Sequence, residues 1–112
     1  MKKSEIKFTV SLDDKNLPKS IEWDASDKEA EGMESTRSIS VNVWDNLNQS
    51  TLRIDLWTSE MSVAEMKRFY IDILGGMGQT ILNSTGDEYF SEEIKALCDR
   101  LVTHVNEENK SK

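Results

Sequence analysis

Few residues in this sequence have side chains that could act on a substrate. The 112-residue chain contains one histidine, His104, and one cysteine, Cys98. A histidine near the end of the last predicted helix is favourable against the helix dipole, and acid–base catalysis would also need a partner within hydrogen-bond reach. Cys98 falls on the apolar stripe of the same helix, where cysteine usually packs as a small hydrophobe. We therefore expect no catalytic residues and no enzymatic activity.

The usual patterns of metal and phosphate sites are also missing. One cysteine and one histidine cannot form a structural zinc site on their own. The acidic segment 26–36 lacks the ligand spacing of a calcium-binding loop, so it is predicted to be a solvated, mobile loop. The glycines of the cluster 75–78 lie inside a helical pattern, away from any helix N-terminus that could bind phosphate. We expect no metal and no cofactor, and we favour close packing of a second helix over a hinge as the reason for the glycines.

The charge balance indicates which partners are disfavoured. The formal net charge is −7, and no basic stripe is present that could neutralise nucleic-acid phosphates or attract an anionic membrane. The N-terminal lysines, Lys2 and Lys3, are not followed by the apolar segment of a signal peptide. No apolar run approaches the length of a membrane span. These features predict a cytoplasmic protein with neither nucleic-acid binding nor membrane insertion.

Alternating apolar residues predict four β-strands in the first half of the chain. They lie at residues 6–12, around 21–25, from about 37 to 44, and at 52–57. The last two strands are expected to form a tight hairpin, because a slip of one residue would turn charged side chains into the core. The predicted facing pairs are Val43 with Leu52, Val41 with Ile54, and Ile39 with Leu56.

After Trp57 the apolar period changes to that of a helix. Ser62 and Glu65 have the spacing of a capping box, the helical pattern ends near residues 83–86, and Asp87 can cap a second helix. The expected fold is α+β, a four-stranded antiparallel meander with two C-terminal helices packed on one face. We expect a single domain over residues 1–108 and a frayed tail over 109–112.

The most suggestive surface residues are two tryptophans. Trp44 and Trp57 lie at the alternate positions of strands three and four that are otherwise polar. Arg53 and Asp55 lie between them on the same face. Tryptophan is enriched at the energetic centres of protein interfaces. The alternative is that each ring folds over a sheet edge or packs beside the N-terminal cap. We predict a partner-binding face formed by Trp44, Arg53, Asp55 and Trp57.

Several segments of the sequence resemble the gliding motility protein GldC family. They are Lys3–Val10, Ile21-Glu22-Trp23, Thr51–Thr58 and Met66–Tyr70, and the resemblance covers nearly all of residues 1–105. These segments have the character of a scaffold and contain no reactive motif. The resemblance implies a cytoplasmic accessory component of bacterial gliding machinery, a system linked to type IX secretion, and it carries no catalytic or ligand-binding residues.

Together these observations favour a non-enzymatic adaptor that binds a protein component of the gliding or secretion machinery. Two other functions stay open. A secretion-chaperone-like homodimer fits the small size and the acidity, and would bury the sheet face or a strand edge. A carrier of an apolar ligand would need a cavity between the sheet and the helices.

Overall fold

The computed structural model describes residues 2–29 and 31–110, and it confirms an α+β protein with antiparallel strands. It contains two compact units, Met1–Met61 and Ser62–Lys112. The described elements are β1 (Ile6–Leu12), β2 (Pro18–Ala25), β3 (Glu34–Thr36), β4 (Ser38–Asp45), β5 (Ser50–Trp57), α1 (Val63–Thr85) and α2 (Glu88–Lys110). The predicted packing of the helices on a sheet face stays a prediction.

The first unit contains two sheets, so the predicted single four-stranded meander is wrong. One sheet has the order β1-β2-β3 and the other pairs β4 with β5. The short strand β3 lies inside the segment 26–36 that was predicted to be a loop. Its residues, Glu34, Ser35 and Thr36, show no apolar alternation, and they pair with β2 through their backbones. Residue 30 of that segment lies outside the described residues.

The acidic segment is attached to the three-stranded sheet through a lysine. The side chain of Lys28 is only 8% exposed, and its ammonium lies 3.6 Å from Asp24 and 4.0 Å from Glu34. The same group lies 5.9 Å from the centre of the Trp23 ring, within cation–π range. The start of the segment is therefore held to the sheet by Lys28, and its end is the strand β3.

The hairpin of β4 and β5 has the predicted register. Val43 faces Leu52, Val41 faces Ile54, and Ile39 faces Leu56. The apolar side of this hairpin is buried only at its base, where Ile39 is 8% exposed. Towards the turn, Val43, Leu52 and Ile54 are all exposed. The predicted register is correct, but burial follows the position along the hairpin, because Ser38 on the polar side of the base is buried as well as Ile39.

A bend at Arg37 joins the two sheets. Only this residue separates β3 from β4, so one extended segment pairs first with β2 and then with β5. The Thr58 amide donates to the Arg37 carbonyl at 2.9 Å, and the Ser38 hydroxyl donates to the Leu56 carbonyl at 3.1 Å. Ser38 and Thr58 are buried polar residues. These bonds satisfy polar groups that would be costly to leave unpaired at the bend.

The second unit is a helical hairpin in which the start of α1, the end of α1 and the start of α2 are those predicted. The Ser62 hydroxyl accepts a hydrogen bond from the Glu65 amide, and the Glu65 carboxylate accepts one from the Ser62 amide. Gly86 ends α1 in the left-handed conformation with φ 74°, which glycine adopts without a side-chain clash. The Asp87 carboxylate accepts from the Phe90 amide at 3.0 Å and caps α2.

The two helices approach each other closely at one of the clustered glycines, Gly78. A Cβ atom built on Gly78 would lie 3.2 Å from Cγ2 of Ile94, and the Ser91 hydroxyl donates to the Gly78 carbonyl at 2.9 Å. Close packing therefore explains Gly78. A Cβ on Gly75 or Gly76 would have no neighbour within 4 Å, so helix packing does not explain these two glycines.

The end of α2 falls within the predicted tail 109–112. Residues 109 and 110 are helical, and residues 111 and 112 lie outside the described residues. The limits of the domain and of the tail stay predictions.

We expect substitutions in the glycine cluster to have opposite effects on stability. Gly78→Leu should lower the free energy of unfolding by about 1 to 3 kcal/mol, because its side chain overpacks the contact with Ile94. Gly76→Ala meets no neighbour and should raise helix stability by about 0.5 to 1 kcal/mol. Denaturant unfolding followed by helical circular dichroism measures both. Equal effects at the two positions would contradict the close contact at Gly78.

The first unit should depend strongly on one buried side chain. Ile21 is 1% exposed, so Ile21→Ala should cost about 2 to 5 kcal/mol through lost burial and a residual cavity. Leu47→Ala is the matched control, because Leu47 is 89% exposed and its truncation should change stability by less than about 0.5 kcal/mol. All three tryptophans precede residue 62, so their fluorescence reports unfolding of this unit.

Candidate partner-binding surface

The four predicted site residues lie on one face of the β4–β5 hairpin, but they do not form one cluster. Trp44 faces Thr51 near the turn, whereas Trp57 faces Ser38 at the base. Trp57 is six residues beyond Thr51 in β5, which is about 20 Å at the usual rise of a strand. The Trp44 and Trp57 side chains are 56% and 53% exposed, so each indole keeps much of its surface open.

The polar residues of this face lie between the two tryptophans. The Arg53 guanidinium contacts the Asp55 carboxylate at 3.2 Å, and the Ser40 hydroxyl donates to the other Asp55 oxygen at 2.7 Å. Ser40 and Asp55 are facing residues of the ladder. Because Asp55 is held from two directions and is mostly shielded, its position is well defined beside Trp57.

A groove of about 360 Å³ lies beside Trp57 within the first unit. Its other lining residues are Asp13, Leu17, Pro18, Asp55, Leu56 and Ser59. Trp57, Leu17 and Pro18 provide apolar surface, and the two charged residues that line the groove are both acidic. Such a groove can accept an apolar side chain and place a neighbouring cation near a carboxylate.

The turn between β1 and β2 supplies the part of this groove that the sequence did not reveal. The Asp13 carboxylate accepts hydrogen bonds from the Lys15 amide at 2.8 Å and the Leu17 amide at 3.0 Å. These bonds hold the turn, and Asn16 adopts φ 62° within it. Turn residues 13–16 were recognisable in the sequence, but their proximity to β5 depends on contacts between the sheets.

The residues considered for catalysis have structural neighbours in the helical unit. The His104 imidazole lies 3.5 Å from the Glu108 carboxylate, which also contacts Lys67 at 2.7 Å. The helix continues to Lys110, the basic residue of its last turn, so His104 lies before the turn on which the helix dipole acts. The contact with Glu108 therefore replaces the expected dipole explanation for His104. The Cys98 thiol lies 3.9 Å from the Ile71 carbonyl. In residues 2–29 and 31–110, no cluster of three or more His, Cys, Asp or Glu side chains could hold a metal ion.

A second groove, of about 290 Å³, lies between α1 and α2. It is lined by Met66, Lys67, Tyr70, Ile71, Leu74, Leu101, His104 and Val105. The apolar residues dominate, and no buried side-chain nitrogen or oxygen lacks a partner in the described part of the chain. This groove therefore offers apolar contact without an unsatisfied polar group to orient a ligand.

Comparison with known families identifies the scaffold that carries this surface. Residues 18–107 match the family model described as "GldC-like: Gliding motility-associated protein GldC-like". The chain belongs to the GldC-like family. The match includes β2 to β5, α1 and α2 as far as residue 107, and therefore the whole predicted face of this GldC-like protein. Searches of curated proteins and of solved structures each returned no significant match.

Neither helix of this GldC-like protein, in the part of the chain that the structure describes, combines the length and hydrophobicity needed to cross a bilayer.

The turn next to Trp44 depends on a carboxylate with a lowered pKa. Hydrogen bonds from the Asn48 side chain, the Asn48 amide and the Leu47 amide hold the pKa of Asp45 below its ordinary value of 3.8, and they outweigh the opposing effect of desolvation. A carboxylate whose pKa is lower in the folded chain than in the unfolded chain stabilises the fold at pH values above its unfolded-state pKa. This stabilisation is lost as the pH falls through the folded-state pKa.

We expect Asp45→Ala to destabilise the first unit at neutral pH, because the turn loses these hydrogen bonds. The difference from the unmodified chain should shrink as the pH falls from 3.8 through the lower pKa of the folded chain, where Asp45 becomes protonated. Thermal unfolding followed by tryptophan fluorescence at several pH values measures this difference. A difference that stays constant down to complete protonation would show that the charge of Asp45 does not hold the turn.

Proposed function

We propose that this protein is a non-enzymatic, cytoplasmic accessory component of bacterial gliding machinery linked to type IX secretion, and that it acts by binding another protein. Membership of the GldC-like family supports the assignment to gliding motility. The observation that supports the binding role is the exposed Trp57 ring beside an apolar, acid-lined groove.

The proposed binding face comprises Trp44, Arg53, Asp55 and Trp57, with its centre at Trp57. A partner segment would insert an apolar side chain against Trp57, Leu17 and Pro18. A lysine or arginine beside that side chain would lie near Asp13 or Asp55. The net charge of −7 favours such a basic segment and speeds its encounter with this protein.

The distance between the tryptophans gives them different roles in this proposal. An apolar side chain bound beside Trp57 would not reach Trp44, which lies near the far end of the hairpin. Trp44 would contact the partner only if the bound segment continued along the strands for about 20 Å. Truncation of Trp57 should therefore weaken binding more than truncation of Trp44.

Crosslinking from the groove in gliding cells tests this proposal. A photo-reactive benzoylphenylalanine placed at position 57 should form a crosslink to one component of the gliding or secretion machinery. The same residue placed at position 89 is the control, because Tyr89 is an exposed aromatic residue in the helical unit. The captured partner can then be measured against Trp57→Ala, which should bind at least tenfold more weakly, the effect typical of a central interface tryptophan.

The contrary outcome is also clear. If Trp57→Ala keeps the fold, by circular dichroism and fluorescence, and leaves both partner capture and gliding unchanged, the proposed face is wrong.

A further inference from the structure

The strand β1 has an open edge with exposed apolar residues. It is the terminal strand of the sheet β1-β2-β3, and no described strand pairs with its outer side. Ile6, Phe8 and Leu12 are 70%, 41% and 54% exposed. A long apolar edge of this kind is a template for pairing with another strand, and proteins usually protect such edges.

The ladder with β2 determines which backbone groups of β1 point outward. The Ser26 amide donates to the Glu5 carbonyl, and Ile6 faces Ala25 in the ladder that follows. Hydrogen-bonded and non-hydrogen-bonded pairs alternate in an antiparallel ladder. The odd-numbered residues of β1 therefore bond to β2, and the amides and carbonyls of Ile6, Phe8 and Val10 point to the open edge.

This alternation makes β1 complementary to itself. Two antiparallel copies can form a ladder only if outward-pointing residues face each other, which means that even-numbered residues pair with even-numbered residues. The register that overlaps all seven residues has its two-fold axis at Thr9. Its facing pairs are Ile6 with Leu12, Lys7 with Ser11, Phe8 with Val10, and Thr9 with Thr9 of the second copy.

The side chains fit this same register. Each facing pair at an even position is apolar on both strands, so Ile6, Phe8, Val10 and Leu12 would share one face with their counterparts. The opposite face would contain only polar pairs. The one charged residue within β1, Lys7, would face Ser11, so no like charges oppose each other between residues 6 and 12.

We propose that a second copy of this chain pairs with the first through β1, and that the two three-stranded sheets join into one six-stranded antiparallel sheet. The arrangement is an isologous two-fold interface, the commonest kind in homo-oligomers. It is independent of the proposed partner-binding function, because none of the residues that line the groove beside Trp57 lies in β1.

A cysteine on the two-fold axis tests the register directly. In a Cys98→Ser background, Thr9→Cys places two thiols across a non-hydrogen-bonded pair, where Cα atoms lie about 4.5 Å apart and a disulfide can form. Ser11→Cys is the matched control, on the same exposed face of the same strand. In the proposed register its two copies lie four residues apart, about 13 Å, which is too far for a disulfide.

Mild oxidation should give a disulfide dimer of the Thr9→Cys chain at least tenfold faster than of the Ser11→Cys chain. Sedimentation equilibrium of the unsubstituted chain should give twice the monomer mass of 12.8 kDa. Equal crosslinking at the two positions, or faster crosslinking at position 11, would overturn the register. A monomer at concentrations up to about 100 μM, within the range of weak complexes, would overturn the dimer.

Discussion

The bend at Arg37 is the constraint on which the first unit depends. One extended segment pairs with β2 up to Thr36 and with β5 from Ser38 onward. The bend keeps its backbone groups satisfied through the bond between the Thr58 amide and the Arg37 carbonyl. Because Trp57 is the last residue of β5, this bond lies next to the proposed binding groove. The position of the groove follows from the way the chain changes sheets.

The distribution of apolar surface is unusual for a chain of this length. In the described part of the first unit, Ile21 and Ile39 are the buried apolar residues, whereas apolar residues of β1 and of the hairpin tip are exposed. Large exposed apolar patches in proteins commonly mark surfaces of association. The open edge of β1 and the groove beside Trp57 are separate surfaces of this kind, and they suit different occupants. The edge offers a self-complementary backbone ladder, and the groove offers an indole with nearby carboxylates.

The helical hairpin is held along its length by contacts of different kinds. Near the turn, Gly78 lets the helices approach and its carbonyl accepts from Ser91. At the open end, Lys67 pairs with Glu108 across the two helices. An ion pair at this exposed position contributes little to stability. A Cβ atom on Gly75 or Gly76 would meet no atom within 4 Å, so the approach of the helices does not require glycine at these two positions.

The sequence by itself determined the elements whose signals are local. Alternation predicted the strand at Ile6–Leu12 and the register that pairs Val43 with Leu52, and the Ser62 capping box and Gly86 predicted the limits of α1. These patterns depend on side chains that are close along the chain. The tertiary structure decided which strands became neighbours, because backbone donors and acceptors are the same in every strand. Only the tertiary structure therefore revealed the polar strand β3, the division into two sheets, and the approach of Leu17 and Pro18 to Trp57.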